Sequence, residues 1–276
     1  MNSEPRRQVD YEDRQVRAAH RVLMDIGQVL AAFHDCMVII GGWVPDLLIP
    51  DEESRHIGSI DVDIALDARK LNDGRYAELL HVLLGTGRYR IGGKAFQLVT
   101  SVEVDDETPV IVELEFLASS EVKLKKNNPK LVDDFRVLQF PACAAAFESP
   151  VNTEIHGRMI SGAENSVKLL VSSLSDFMIM KAHAIGGRDK PKDVYDLCYC
   201  LAAYPGGISA LGNDWKVRRG ATLIDQAVVI LSKKFKTVDH YGPQQLAIFH
   251  SASDSDEAAR YARQAYELVQ KLIAML

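Results

Sequence analysis

The sequence predicts a protein of the α/β (α+β) class, in which a mixed sheet with packed helices is joined to a C-terminal helical domain. Short apolar or alternating runs that are typical of strands lie in the N-terminal half, at 37–40, 61–66 and 110–117. From about Ser172 onward, apolar residues recur instead at helical spacing. At 276 residues the chain is long enough for two domains, which we expect at 1–165 and 166–276.

Composition narrows the class of protein without naming a substrate. Hydrophobic residues make up 47% and charged residues 25% of the chain, and no apolar run is long enough to cross a bilayer, so we expect no membrane partner. The charged N-terminal stretch lacks the apolar core of a signal peptide, so we expect a cytoplasmic protein. The four cysteines form no CxxC pair, which argues against zinc and a disulfide framework. A net charge of −6 means that any RNA partner would need a local basic patch.

The first elements lead to a glycine pair. Apolar residues at helical spacing predict one long amphipathic helix over 11–34. The run Met37–Ile40 reads as a buried strand that enters a tight turn at Gly41 and Gly42. A short helix is expected over Trp43–Leu48, followed by a polar loop over 49–54.

Further strands and helices follow from the same patterns. A helix is predicted over 71–84, a hairpin from Tyr89–Ile91 and 96–103, and an alternating strand over 110–117. Residues 123–130 read as a charged loop, and 135–140 and 151–155 as two more strands. The predicted C-terminal helices span 174–185, 191–201, 222–235 and 257–276.

Two aspartates one residue apart, Asp61 and Asp63, lie within a predicted strand. Alternate side chains of a strand share a face, so both carboxylates point one way while Val62, Ile64 and Leu66 point into a core. At a rise of roughly 3.3 Å per residue, the pair is close enough to bind one Mg²⁺ or two. The alternative is an edge strand whose polar face meets water.

A third acid is available on a later strand. Glu113 and Glu115 share the polar face of the strand at 110–117, opposite Val112 and Leu114. Two aspartates with a third carboxylate are a donor set for two Mg²⁺ ions. Alternation alone does not separate Glu113 from Glu115.

The helical half contains a second cluster of charged residues. Lys181 and Arg188 share a helical face if the helix continues through the glycines at 186 and 187. Asp193 and Asp196 face the same way on the following helix. The residues alone favour a structural account, in which Asp193 stabilises the helix N-terminus, Asp196 pairs with a nearby base and Lys181 is a solvated helix residue.

The order of these motifs resembles the nucleotidyltransferase superfamily. The matching segments are IIGG at Ile39 to Gly42, SIDVD at Ser59 to Asp63, and the VELEF strand with its glutamates. The resemblance implies that Gly41 and Gly42 let backbone amides approach a nucleoside triphosphate (NTP) co-substrate. It also implies a pair of Mg²⁺ ions on Asp61, Asp63 and a third acid, for which it favours Glu115.

The segment RDKPKDVYDL at Arg188 to Leu197 is similar to a motif of the AbiEii family, toxins of type IV toxin–antitoxin systems. The resemblance implies that Lys181, with Arg188, binds nucleotide phosphate and that Asp193 is a catalytic base or positions the substrate. Ser59 would touch a phosphate or shape the turn. The helical domain would then complete an active site on the first domain, the acceptor hydroxyl would belong to tRNA or protein, and a cognate antitoxin is a candidate partner.

Two alternatives stay open. One is a transferase that acts on a small molecule such as an aminoglycoside, and the other is a non-catalytic nucleotide-binding protein. An acceptor channel lined by Lys216, Arg218 or Lys233 would favour RNA, whereas an acidic closed pocket would favour a cationic drug.

Overall fold

The computed structural model describes residues 5–49, 54–71, 74–105, 107–120, 135–251 and 254–276. The chain divides into two compact units. The sheet unit comprises Glu12–Leu47 and Gly58–Ser173, and the helical unit comprises Met1–Tyr11, Leu48–Ile57 and Leu174–Leu276. The division therefore follows Ser173 instead of residue 165, because the strand over Glu164–Val171 belongs to the sheet.

A mixed sheet forms the centre of the sheet unit. Its described strands are β1 (Met37–Ile40), β2 (Asp61–Leu66), β3 (Tyr89–Ile91), β4 (Gln97–Val102), β5 (Val110–Ala118), β6 (Leu138–Gln139), β7 (Val151–Arg158) and β8 (Glu164–Val171). Their order is β3-β4-β5-β2-β1-β8-β7, with β6 paired to β5. The pairs β1–β8, β2–β5 and β5–β6 are parallel, and the others are antiparallel. The mixed sheet confirms the predicted fold class, and the pairing of β3 with β4 confirms the hairpin.

The helices that begin in the sheet unit are α1 (Asp13–Val29), α2 (Trp43–Leu48), α3 (Ala68–Leu71) and α4 (Arg75–Gly85). Helix α1 buries one face on the sheet, where a Cβ on Gly27 would lie 2.7 Å from Val167 on β8. The predicted single helix over 11–34 is wrong at its end. The chain tightens into a 3-10 helix over Ala31–Cys36 because this path buries Phe33 ahead of β1.

The helical unit contains α5 (Leu174–Gly187), α6 (Pro191–Ala203), α7 (Gly207–Val217), α8 (Thr222–Lys234), α9 (Tyr241–Phe249) and α10 (Ser255–Ile273). Four of these confirm predicted helices with shifts at their ends. Helix α5 packs on α6 and α8, and α9 packs on α6 and α10. The Asp254 carboxylate caps α10 by accepting a hydrogen bond from the Glu257 amide at 2.8 Å.

Four of the α-helices and strands in the described residues were not predicted from the sequence: β8, α3, α7 and α9. In β8 only alternate residues from Val167 onward are buried, and the strand begins with three exposed polar residues, which weakens its signal. Helices α7 and α9 are short and contain internal glycines. The predicted strand over 135–140 is reduced to Leu138–Gln139, and the predicted loop at 123–130 lies outside the described residues.

Among the described residues, no helix is both long enough and apolar enough to span a bilayer.

Candidate active site

Four carboxylates lie on one face of the neighbouring strands β2 and β5. In their parallel register Asp61 is opposite Glu113, and Asp63 is opposite Glu115. Residues directly opposite each other on paired strands point to the same face. The alternate residues are buried, as in Val62, which confirms that Asp61 and Asp63 share the polar face of β2. The fold thus brings both predicted aspartates beside both candidate third acids.

The two glutamates are held by side chains from the β3–β4 hairpin. Lys94 Nζ lies 2.7 Å from Glu115 Oε1 and 3.7 Å from Glu113 Oε2. The Gln97 amide donates to Glu113 Oε2 at 2.6 Å and to Glu115 Oε1 at 3.1 Å. Glu115 is therefore engaged by an ammonium and an amide, although its strand position is beside Asp63.

The pKa of Glu113 is raised from its ordinary value. Partial burial of the carboxyl is the main cause, and the charges of Glu115 and Asp61 act in the same direction. The Lys94 ammonium opposes them. Burial thus determines the direction of the shift, while the neighbouring charges of opposite sign partly offset each other.

The glycine turn lies directly against the aspartates. Gly41 has a φ of +72°, and a Cβ on it would clash with the Asp63 carboxylate. The Ser59 hydroxyl donates to Asp61 Oδ1, and the Trp43 indole N–H donates to the Asp61 carbonyl at 2.8 Å. Gly42 completes the turn and is buried. Predicted residues of the sheet unit thus form one neighbourhood around β2.

The donor chemistry of this face fits Mg²⁺, since carboxylate oxygens are the ligands that this ion prefers. The glycine at position 41 keeps space beside Asp63 that a larger residue would fill. Within the part of the chain that the structure describes, however, no three Asp, Glu, His or Cys side chains are already gathered closely enough to hold a metal. Metal binding by Asp61, Asp63 and Glu115 stays a prediction.

The helical unit gathers the other predicted residues into a buried ionic network. Lys181 Nζ lies 2.8 Å from Asp193 Oδ1 and 2.7 Å from Asp196 Oδ2. Arg188 holds Asp193 with two hydrogen bonds, at 2.7 and 2.9 Å, and Lys192 lies 2.8 Å from Asp196. Helix α5 does continue through the two glycines at 186 and 187, as the shared face of Lys181 and Arg188 requires.

Both aspartates of this network are ionised. Burial alone would raise the pKa of Asp193, but the charges of Lys181 and Arg188 outweigh it and lower the pKa to about 2. At Asp196, burial again acts to raise the pKa, but the charges of Lys181 and Lys192 outweigh it and hold the pKa well below its usual range. A fully buried carboxylate with both oxygens in ion pairs is a poor proton acceptor. Asp196 pairs with nearby bases, as the structural account expects, but the expected solvated Lys181 is wrong, because the lysine is buried between the two aspartates. The catalytic role of Asp193 stays a prediction.

His56 joins the same network from the segment that leads into β2. Its Nε2 lies 2.9 Å from Asp196 Oδ1, and its ring stacks on Tyr195 at 5.1 Å between centroids. Tyr195 accepts a hydrogen bond from the Ile57 amide at 3.2 Å, and Tyr199 donates to the Ser54 carbonyl at 2.9 Å. Helix α6 therefore fixes the residues that precede Gly58 and Ser59 in the chain.

Lys94, Gln97 and His56 were not singled out from the sequence. Gln97 had a readable signal, because it opens a strand next to the glutamate strand and its polar side chain breaks an apolar run. Lys94 lies in a glycine-containing turn and His56 in a polar loop, where charged residues are ordinarily solvated. Only the strand register and the tertiary fold bring them to carboxylates.

Comparisons with known proteins give distant structural likenesses. No family model matches the chain, and no curated protein matches it. A solved structure of an antigenic nucleotidyltransferase-like protein from Paracoccidioides brasiliensis is 14% identical, with a TM-score of 0.38 over 76% of this chain and 94% of that one. The antibiotic-resistance factor ANT(2'')-Ia is 14% identical, with a TM-score of 0.34 over 74% of this chain and 95% of that one. Likenesses this distant leave the chemistry to be judged from this chain's own residues.

Proposed function

We propose that the protein is a metal-dependent nucleotidyltransferase, which moves a nucleoside monophosphate from an NTP to an acceptor hydroxyl. The observation that supports this most directly is the parallel register of β2 and β5, which sets Asp61 and Asp63 beside Glu113 and Glu115. Gly41 packs against Asp63 at the same place, so a turn without side chains adjoins the carboxylates. Acidic groups beside a glycine turn suit a site for a metal and phosphates.

Each side chain of the sheet unit has a role in this proposal. Asp61, Asp63 and Glu115 hold Mg²⁺, as one ion or two, which when bound neutralises charge on the phosphates. Gly41 and Gly42 leave room for the triphosphate, and Ser59 fixes Asp61 through its hydroxyl. The acceptor oxygen bonds to the α-phosphorus as the bond to the bridging oxygen of pyrophosphate breaks. A glutamate of the β5 face accepts the proton that leaves the acceptor hydroxyl.

The residues of the helical unit support phosphate binding. Arg188 is about half exposed in its side chain, at 52%, while Asp193 holds its guanidinium from the buried side. We assign phosphate contact to Arg188, and we assign to Lys181 and Asp193 the positioning of that guanidinium. Lys181 is only 10% exposed and is paired with two aspartates, so it is less able than Arg188 to reach a ligand.

We propose RNA as the acceptor, in keeping with the AbiEii resemblance. Lys216 and Lys233 are exposed in the helical unit and are able to contact phosphates. Arg218, in contrast, is committed to Asp176 at 2.6 Å and to Asp214 at 3.2 Å, so it is not counted among the RNA contacts.

The test is transfer of label from an NTP that carries ³²P at the α-phosphate. The purified protein is incubated with each NTP, Mg²⁺ and either total RNA, cell lysate or an aminoglycoside. We expect label on RNA, and we expect Asp61→Asn to reduce its transfer by at least about 100-fold, since an electrostatic contact to the reacting group is lost. Asp105→Asn is the matched control, because Asp105 is an exposed aspartate of the same unit that pairs with Arg17.

The outcomes separate the proposals. Label on the aminoglycoside alone would replace RNA with a small-molecule acceptor, and label on lysate protein alone would replace it with a protein acceptor. NTP binding without transfer to any acceptor would make the protein a non-catalytic binder. Equal transfer by Asp61→Asn and by wild type would refute the assigned site.

A further inference from the structure

Lys94 forms an ion pair with Glu115, the third acid of the proposed site, and its backbone lies in a hydrogen-bonded turn. The turn over the β3–β4 hairpin is closed by two backbone hydrogen bonds, from the Gln97 amide to the Lys94 carbonyl at 3.1 Å and from the Gly92 amide to the Gln97 carbonyl at 2.8 Å. The Lys94 backbone is thereby anchored next to β5. Its ammonium lies 2.7 Å from Glu115 Oε1 and 3.7 Å from Glu113 Oε2.

Gln97 fixes the two glutamates under this ammonium. Its side chain is buried, and its amide nitrogen donates to both Glu113 and Glu115. A Cβ on Gly92 would lie 2.6 Å from Gln97 Oε1, so the glycine lets the amide lie against the turn with its donors facing the glutamates. The two carboxylates are therefore held side by side on β5, next to the ammonium of Lys94.

The ammonium is in an exchangeable position. The Lys94 side chain is 52% exposed, whereas Glu115 is 15% exposed. An ion pair made by an exposed ammonium stabilises little, because water solvates the ammonium when it leaves the carboxylate. A divalent ion at the same oxygen is attracted more strongly than the ammonium, because it carries two positive charges. Glu115 is thus able to exchange Lys94 for a metal without disturbing a buried ion pair.

We propose that Lys94 is a tethered counter-ion of the metal site, which holds Glu115 in the metal-free protein and leaves its carboxylate when a divalent cation binds. This inference rests on the proposed function and adds a residue to it. Lys94 acts as a positioning residue that competes with the metal. The competition lowers the metal affinity of the site while keeping the acidic face folded in the absence of metal.

The test measures binding of Mn²⁺, as a probe for Mg²⁺, to the full chain by isothermal titration calorimetry without nucleotide. Lys94→Met keeps the length and apolar part of the side chain but removes the competing charge. We expect it to tighten Mn²⁺ binding by about three- to tenfold, from the loss of one exposed ion pair and one nearby positive charge. Lys94→Arg keeps the charge and is expected to bind Mn²⁺ about as weakly as wild type.

A matched control separates local competition from a general change in charge. Lys168 is exposed on β8 of the same unit, so Lys168→Met removes the same charge away from the glutamates. We expect it to change Mn²⁺ affinity by less than about twofold. Unchanged or weaker binding by Lys94→Met, or equal tightening by both methionine variants, overturns the role of Lys94. Circular dichroism establishes that each variant is folded.

Asp63→Asn distinguishes failure of this inference from failure of the proposed site. If Asp63→Asn abolishes Mn²⁺ binding while Lys94→Met leaves it unchanged, the metal site stands and only the role of Lys94 fails. If Asp63→Asn binds Mn²⁺ as wild type does, the metal binds elsewhere, and both proposals fail.

Discussion

The buried network of the helical unit allows a test of whether Asp193 is structural or catalytic. Asp193→Asn is the perturbation, because asparagine keeps the size of the side chain and removes its charge. The variant leaves Arg188 without its bidentate partner and leaves Lys181 with only Asp196 of the two aspartates. A structural role predicts a large loss of stability, whereas a purely catalytic role predicts a loss of activity alone.

The magnitude follows from the pKa of Asp193. The fold lowers that pKa from 3.8 to about 2, and each pKa unit corresponds to about 1.4 kcal/mol, so ionisation contributes about 2–3 kcal/mol to folding at neutral pH. Removing one partner of a buried ion pair costs about 3–5 kcal/mol in other proteins. The asparagine amide keeps part of the hydrogen bonding. We therefore expect Asp193→Asn to lower the free energy of unfolding by about 2–4 kcal/mol.

Urea denaturation followed by circular dichroism measures this difference at pH 7. Asp225→Asn is the matched control, since Asp225 belongs to the same unit and forms a half-exposed ion pair with Arg219 at 3.2 Å. An exposed pair of this kind contributes about 1 kcal/mol or less. The difference between the two variants isolates the effect of burial from that of the substitution itself.

The pH dependence supplies a second readout. Because the folded pKa of Asp193 is lowered, its stabilisation is present above pH 3.8 and is lost as the pH falls toward 2. The gap in stability between wild type and Asp193→Asn should be constant from pH 7 to about 5 and should narrow below about 4. A loss of less than about 1 kcal/mol at pH 7, together with loss of label transfer, would refute the structural role and restore Asp193 as a catalytic group.

Two further predictions concern single contacts. Gly41→Ala places a side chain at a φ of +72° and against the Asp63 carboxylate. We expect the free energy of unfolding, measured by urea denaturation, to fall by about 1–2 kcal/mol and Mn²⁺ binding, measured by calorimetry, to weaken. Unchanged Mn²⁺ affinity would show that the turn does not contribute to the metal site. Asp254→Ala removes the N-cap of α10 and should lower the free energy of unfolding by about 1 kcal/mol, whereas Asp254→Asn, which keeps a capping oxygen, should lower it by less.

Local patterns were sufficient to predict the strands that carry the candidate site. The alternation of polar and apolar residues around Asp61 and Asp63 indicates which side chains the strand buries. The run Met37–Ile40 is followed by two glycines, which indicate a turn. Such signals need no knowledge of the partner strand. For the same reason they did not decide between Glu113 and Glu115, which have the same parity on β5.

The contacts across the fold were beyond the reach of the sequence. The pairing of Asp63 with Glu115 depends on the register of two strands that are separated along the chain by two helices and a hairpin. The burial of Lys181 depends on α6 packing against α5, since the sequence of α5 alone permits an exposed lysine. Pattern and spacing thus located the charged groups, while tertiary packing determined which of them are paired in the interior.

The two acidic clusters differ in how readily their partners exchange, and this difference indicates where ligand chemistry takes place. Asp193 and Asp196 are fully buried, and each is held by cations of the same unit, so exchanging a partner would expose an uncompensated charge at a cost of several kcal/mol. Glu115 meets an ammonium that is half in solvent, and replacing it costs about 1 kcal/mol or less. The proposed function needs a site that binds and releases a metal and a nucleotide in every cycle, and such a site requires the second kind of partner. We therefore expect exchange at the sheet face, whereas the helical network is suited to hold Arg188 in a fixed orientation.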